Sequence, residues 1–289
     1  METRRLRLLL ELSRLGSMRE VADVLHLTTS TVSQQLAVLA REAGTALVEP
    51  DGRRVRLTPA GRRLADHAVT ILAAVDEARL DLAPDAEPSG DVRVAGFATG
   101  VRRSLLPVAA RLAEAHPRVR LSIREHEPAE AFAMLAADAV DLALTYDYNL
   151  APAAPDPARE VFPLWRTPWA LAVASEAPGS GFADFAGGDW IVNSRNTADE
   201  DVVRTVAALA GCTPRIAHRA DSLDLVEDLI VAGMGVALLP DRRPAAGVRL
   251  LPLIGTPVWL RSYAVVRRGR ATWPPLALVL RLLQETAQP

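Results

Sequence analysis

Between Thr28 and Gln35 the chain reads TTSTVSQQ, a crowd of small groups suited to recognising a polyanion. Thr28, Thr29, Ser30, Thr31 and Ser33 offer hydroxyls, and Gln34 and Gln35 offer carboxamides. Gathered at the start of one helix, such groups bond phosphate oxygens and read base edges in a major groove, where glutamine pairs bidentately with adenine. Any one of them alone would be an ordinary solvated residue; the ordered group points to double-stranded DNA. Arg53 and Arg54 follow in Asp51-Gly52-Arg53-Arg54. Asp-Gly signals a tight hairpin, whose tip would carry two guanidiniums to phosphates or a minor groove.

A second polar set lies nearer the C-terminus, where strands are expected to end. Thr99, Gly100, Val101 and Arg102, with Arg103 beside them, follow one strand; Asn193, Ser194 and Arg195 follow another. Glu127, Tyr146, Asp221 and Ser222 occupy comparable positions. Loops beyond the carboxyl ends of strands wall ligand clefts in open α/β sheets. A helix start beside arginines favours an anion, so the expected ligand is a small organic acid or amino acid. Each of these residues could instead cap a loop.

The first set needs a compact helical unit. Leu6, Leu9, Leu10 and Leu12 describe a helix that Gly16 stops; Ser17 and Glu20 have the spacing of a capping box for a second. Val21, Ala22, Val24 and Leu25 form its inner face, and Thr28 caps a third helix with Val32, Leu36 and Leu39 inward. Two helices, a tight connection and a basic hairpin make a winged helix-turn-helix. Thr58-Pro59 then starts a long helix to about Leu82. Leu64, Ala68, Ile71, Val75, Ala78 and Leu82 repeat in a heptad, which asks for a second subunit. Pro84 to Gly90 reads as a hinge.

The second set needs alternating strands and helices. Strands are expected at 92–97, 119–123, 141–145, 169–173, 190–193, 215–218, 236–239 and 263–266, and helices at 105–115, 129–138, 199–210, 222–232 and 275–285. That alternation indicates parallel α/β architecture. The expected domains are 1–58, 59–90 and 91–289, the last in two lobes, about 91–163 with 262–289 and about 164–261.

Composition agrees. The 289 residues are 49% hydrophobic and 24% charged, as in ordinary globular proteins. All 33 basic residues are Arg, a coding bias more than a binding signal. Residues 1–63 hold eleven Arg against seven acids, while the remainder is net acidic. Cys212 is the single cysteine, which excludes an intrachain disulfide and fits a reducing compartment. With no signal-peptide core and no long apolar run, the expected location is the cytoplasm, away from any membrane.

Catalysis finds little support. Gly233-Met234-Gly235 follows a helix rather than a strand and has Leu238 at the third glycine position. His26, His67, His116, His126 and His218 lack metal-ligand spacing, and no G-x-S-x-G motif occurs. No cofactor or metal is expected.

Leu47, Arg53, Val55, Leu57, Thr58, Ala60 and Gly61, together with TTSTVSQQL, resemble the N-terminal domain of LysR-type transcriptional regulators. GDVRVAGF, AHPRVRLSI, DLALTY and VAGMGVALLP resemble the effector-binding part of the same family, so the likeness covers nearly the whole chain. Val48 and Pro50 depart from the family's usual Phe and Arg. The resemblance implies a two-lobed periplasmic-binding-protein-like effector domain and a homodimer through the long helix, with dimer or tetramer left open. It further implies a near-palindromic operator, a small-molecule effector between the lobes, and altered access or contact for RNA polymerase. The rival readings are an exported solute-binding protein, which would not need residues 17–61, and a DNA-binding architectural protein without an effector.

Overall fold

Leucines shape the N-terminal unit of the computed structural model, which describes residues 1–51, 54–82, 87–242 and 244–287, with the backbone alone at Arg54 and Asp81. Leu6, Leu9, Leu10 and Leu12 of α1 (Thr3–Leu15) are buried. Each such leucine contributes roughly 1.5–3 kcal/mol on leaving water. Gly16, at φ 66, ends the helix. Ser17 caps α2 (Met18–Val24) by accepting from the Glu20 N–H. Among the described residues the return bond from the Glu20 carboxylate is not formed, so only half of the expected box exists. Thr28 caps α3 (Thr29–Ala43), whose Val32, Leu36 and Leu39 are buried. β1 (Val48–Asp51) and β2 (Arg54–Leu57) pair antiparallel with Asp51 opposite Arg54. Gly52 and Arg53 lie outside the described residues.

The long helix α4 (Pro59–Asp81) starts as expected. Thr58 Oγ1 accepts from the Gly61 N–H at 3.0 Å and donates to the Ala46 carbonyl at 2.7 Å. Gly61 lies so close to Leu47 that a Cβ would strike the Leu47 carbonyl. The 23 residues of α4 reach about 34 Å at 1.5 Å per residue. The expected seam is not one exposed stripe. Ala68 is buried, with Ala65, Val69, Leu72 and Ala73, on the side that α1 covers. Leu64 and Val75 are half-buried, whereas Ile71, Ala78 and Leu82 are exposed. A 3.5-residue repeat drifts around a straight 3.6-residue helix, so the seam begins against α1 and ends in solvent. Residues 83–86 of the expected hinge lie outside the described residues.

The C-terminal part opens with β3 (Gly90–Gly96). The expected loop over 98–103 is already helical: α5 (Ala98–Gly100) runs through a π-turn at Val101–Leu105 into α6 (Leu106–Ala115). The Val101 N–H bonds back to the Phe97 carbonyl at 3.0 Å, closing a turn at once. β4 (Val119–Glu125), α7 (Pro128–Ala136) and β5 (Leu142–Tyr148) follow, then β6 (Arg159–Ala174), α8 (Phe182–Phe185), β7 (Asp189–Val192) and α9 (Thr197–Leu209). β8 (Arg215–Arg219), α10 (Leu223–Val231), β9 (Ala237–Pro240), β10 (Val248–Leu251), β11 (Val258–Arg267) and α11 (Pro274–Ala287) complete the chain.

One sheet has the order β10-β6-β11-β5-β3-β4 with β9 on β6; β7 and β8 form a separate parallel pair. β3 is parallel to both neighbours. β6 and β11 pair antiparallel from Arg159–Arg267 to Trp169–Val258, crossing from one lobe to the other. Both are longer than expected, and β10 was not anticipated. The first lobe packs Val94, Leu142 and Leu144 against Leu105, Leu276 and Val279. The second packs Leu171 and Val173 against Trp190, Val202 and Val206. The N-terminal unit touches the first lobe. Arg14 bonds Asp138, and Arg267 bonds both Asp138 and Asp66. Gly269, at φ 77, lets the chain approach Thr70 where a Cβ would collide.

Candidate functional site

The outward face of α3 is built of hydrogen-bonding groups. Thr28, Thr29, Ser30, Ser33 and Gln34 are exposed; Thr31 and Gln35 are half-buried. Thr28 Oγ1 accepts from the Thr31 N–H at 3.2 Å and lies 2.8 Å from the Ser30 and Thr31 hydroxyls, so it holds the first turn together. Gln35 Oε1 accepts from Arg5 Nε at 3.0 Å, which ties the carboxamide to α1. The exposed face continues through Ala37 to Arg41, which the sequence reading did not single out. Unpaired N–H groups and the helix dipole add positive potential at the same end. Arg54 begins β2; its side chain and Arg53 lie outside the described residues.

Between the lobes lies an open cavity of about 310 Å³, walled by Pro128 and Phe132 of α7, Tyr146 and Asp147 of β5, residues 150–153, and Asn196, Thr197, Ala198 and Asp201 at the start of α9. Of the expected ligand-facing residues, Tyr146 is in this wall. Glu127, buried at the cap of α7, sits behind it and meets the Tyr146 hydroxyl at 2.9 Å. The same hydroxyl is 3.1 Å from Asp199 Oδ2, and the Tyr148 hydroxyl donates to Asp199 Oδ1 at 2.9 Å. Asp199 belongs to the second lobe, so this cluster joins the two. Burial pushes Glu127 up to about 7, with the neighbouring Asp199 charge adding to the effect and the Tyr146 bond opposing it. Burial likewise raises Asp199 to about 6 against the pull of its two tyrosine bonds. Both phenols are pushed well above their usual range, first by burial and then by the Asp199 charge. Phe97 stacks edge-on against Tyr146 at 4.7 Å and Trp169 against Tyr148 at 5.2 Å, holding both phenols in place.

The remaining expected residues are otherwise engaged. Asp221 accepts from the Ser194 N–H and hydroxyl and from Arg195 Nε. Arg195 also reaches Glu130 of α7 at 3.3 Å, a second link between lobes. Asn193 Oδ1 accepts from the Arg195 and Asn196 N–H groups, and Ser222 caps α10. Thr99, Gly100, Val101 and Arg102 stand outside the cavity wall, in the first turns of the helical run from Ala98. Arg103 lies over the Trp165 ring at 4.2 Å. The expectation of an anion rests on a helix start and nearby arginines; here Arg195 is paired with Asp221 and Glu130, Arg103 lies over an indole, and Arg102 is exposed outside the wall. Asp199, Tyr148 and Phe132 of α7 were not anticipated, whereas Asn196 and Pro128 adjoin Arg195 and Glu127, which the sequence does single out. Asp199 looks like a helix-start acid in sequence, and its partners stand 51 and 53 residues away.

Among the described residues no group of His, Cys, Asp or Glu could hold a metal, and no helix is long and apolar enough to cross a membrane.

Residues 3–62 match the model of the bacterial regulatory helix-turn-helix protein, lysR family, and residues 85–288 match that of the LysR substrate binding domain. The transcriptional dual regulator GltC of Bacillus subtilis is 26% identical over 255 residues, covering 83% of this chain and 81% of that protein. The DNA-binding transcriptional dual regulator OxyR of Escherichia coli K12 is 28% identical over 266 residues, covering 88% and 85%. The fold is shared with full-length OxyR C199D of Pseudomonas aeruginosa, at a TM-score of 0.71, 18% identity and coverage of 99% and 97%. It is also shared with full-length CbnR complexed with its target DNA, at a TM-score of 0.53, 23% identity and full coverage of both chains.

Proposed function

Because the chain belongs to the LysR family of DNA-binding transcriptional regulators, a regulatory and not a catalytic family, we propose that α3 is the helix that enters the major groove. Thr29, Ser30, Ser33 and Gln34 then face the duplex, Thr28 and Thr31 shape the turn that presents them, and Gln35 reads DNA only by leaving Arg5. Arg53 and Arg54 are assigned to the backbone beside the groove. The observation that carries this reading is the exposed hydroxyl and carboxamide face of a capped helix within a basic N-terminal unit.

We assign residues 1–58 to DNA binding, 59–90 to dimerisation and the hinge, and 91–289 to effector binding. The exposed Ile71, Ala78 and Leu82, with Ala74 beside them, form the contact between two α4 helices. Two recognition helices then meet two half-sites of a near-palindromic operator. A tetramer and a contact with RNA polymerase are compatible with this arrangement, and a chain working on bacterial DNA works in the cytoplasm.

The effector occupies the interlobe cavity. Asp147 in its wall is already paired with Arg261, Asp201 is exposed, and among the described residues the wall has no arginine, which favours a neutral or amine-bearing small organic molecule over an acid. Calorimetric titration at fixed pH with matched acids, amides and amines tests the assignment. Heat from amides or amines alone supports it; binding confined to the acids refutes it.

A further inference from the structure

Two oxygen–oxygen contacts cross between the lobes, from Tyr146 and Tyr148 to Asp199, a third joins Tyr146 to Glu127 within the first lobe, and the two phenols supply only two protons. Tyr148 gives its proton to Asp199 Oδ1. The Tyr146 proton can serve Asp199 Oδ2 or Glu127 Oε2, not both. The third contact is therefore a bond only if a carboxyl carries a proton. Both carboxylates stand at helix starts, Asp199 in the first turn of α9 and Glu127 at the cap of α7, so the helix ends favour both charges; Asp199 differs in that it already receives Tyr148. Glu127, buried at the cap of α7, has Tyr146 as its neighbour in this cluster. The chain of donors then runs from the Glu127 carboxyl to the Tyr146 oxygen and from the Tyr146 hydroxyl to Asp199.

We infer that closing the two lobes takes up one proton on Glu127, which makes the proton a co-effector of the closed state. The inference rests on the proposed reading of the interlobe cavity as the effector site. Opening separates Asp199 and Arg195 from Glu127 and exposes the carboxyl, which then releases its proton. The groups facing Glu127 come from every element around it. Tyr146 approaches from β5, Asp199 from the first turn of α9, and Arg195 and Asp221 from the second lobe, while the Glu130 carboxylate of α7, itself beside His126, holds the Glu127 N–H. Among the described residues Arg195 is the one cation directed there from across the cleft, and it is shared with Asp221 and Glu130.

The sign follows. The closed-state value of about 7 lies above the usual 4.5, so closure is favoured fully below 4.5 and loses that help as pH rises through 7. Between pH 7.5 and 5.5 the closing equilibrium gains roughly twenty-fold by linkage.

Two measurements on the full chain test this. Carbon-13 carboxyl labelling of the glutamates, with E127Q identifying the signal, gives the titration of Glu127 directly. Spin labels at the exposed Ala113 and Ala208, in a C212S background, report lobe separation across the same pH range. We expect a Glu127 signal titrating near 7, and a closed population that grows on acidification in the wild type and in H126N. E127Q should lose the part of the response centred near 7 while keeping its fold by thermal melting. A Glu127 titration near 4.5, a wild-type lobe distance indifferent to pH, or a wild-type pH response retained in E127Q overturns the inference. None of these readouts uses an effector or DNA, so a failed effector titration and a failed proton site are told apart.

Discussion

Asp147 is the most heavily committed carboxylate beside the cleft. It receives two bonds from Arg261 at 2.8 and 2.9 Å, one from the Tyr263 hydroxyl at 3.1 Å and one from the Ala153 N–H at 2.9 Å. The Asp147 side chain is buried, and removing one partner of a buried network leaves the rest unsatisfied. R261A, which leaves the buried Asp147 charge without its cation, should lose about 3 kcal/mol in urea denaturation, whereas D147A, which leaves Arg261 within reach of water, should lose less. Equal losses would mean that the ion pair alone carries the site. Residues of this kind were only half legible in the sequence. Their types and their places after strands drew attention to Glu127, Tyr146, Asn193 and Asp221, but not the pairing. Whether Arg195 meets a ligand or Asp221 depends on the distance between two loops 26 residues apart, which no local pattern encodes.

Elements were more legible where one local rule decides them. The N-terminal helices begin and end at caps visible as Gly16, Ser17, Thr28 and Thr58, because capping is settled within four residues. Replacing Thr28 by alanine removes an acceptor for the Thr31 N–H and should cost about 1 kcal/mol by thermal or chemical denaturation. Gly61 makes a sharper test. Alanine is the better helix former, yet G61A should destabilise the N-terminal unit because the added methyl meets the Leu47 carbonyl; a rise in melting temperature would contradict that packing. The crossing strand β6 was missed over its first ten residues for a physical reason. Pro163 and Pro168 interrupt it, and its burial changes from alternating to continuous where it passes from one lobe to the other. Neither half looks like the other: the first pairs with β11 up to Trp169, and the second with β9 and β10.

At the scale of the molecule, α4 has two jobs that its sequence superimposes. One side is covered by α1 within the chain, and the other leaves Ile71 and Leu82 to solvent. A charge on the outer side should spare the fold and break the dimer. I71D should therefore sediment as a monomer with an unchanged circular dichroism spectrum, and should bind a two-half-site duplex far more weakly than the wild type. A dimer surviving I71D would place the contact elsewhere.

The central claim is that residues 1–58 grip a duplex through α3 under the control of the domain behind them. Fluorescence anisotropy with a duplex from the region upstream of the gene, over a salt series and against a scrambled duplex, tests it most directly. The expected result is a logarithmic affinity falling linearly with logarithmic salt, with Q34A costing about 1–3 kcal/mol on the preferred duplex and nothing on the scrambled one. Binding indifferent to salt, or a Q34A loss equal on both duplexes, would contradict it.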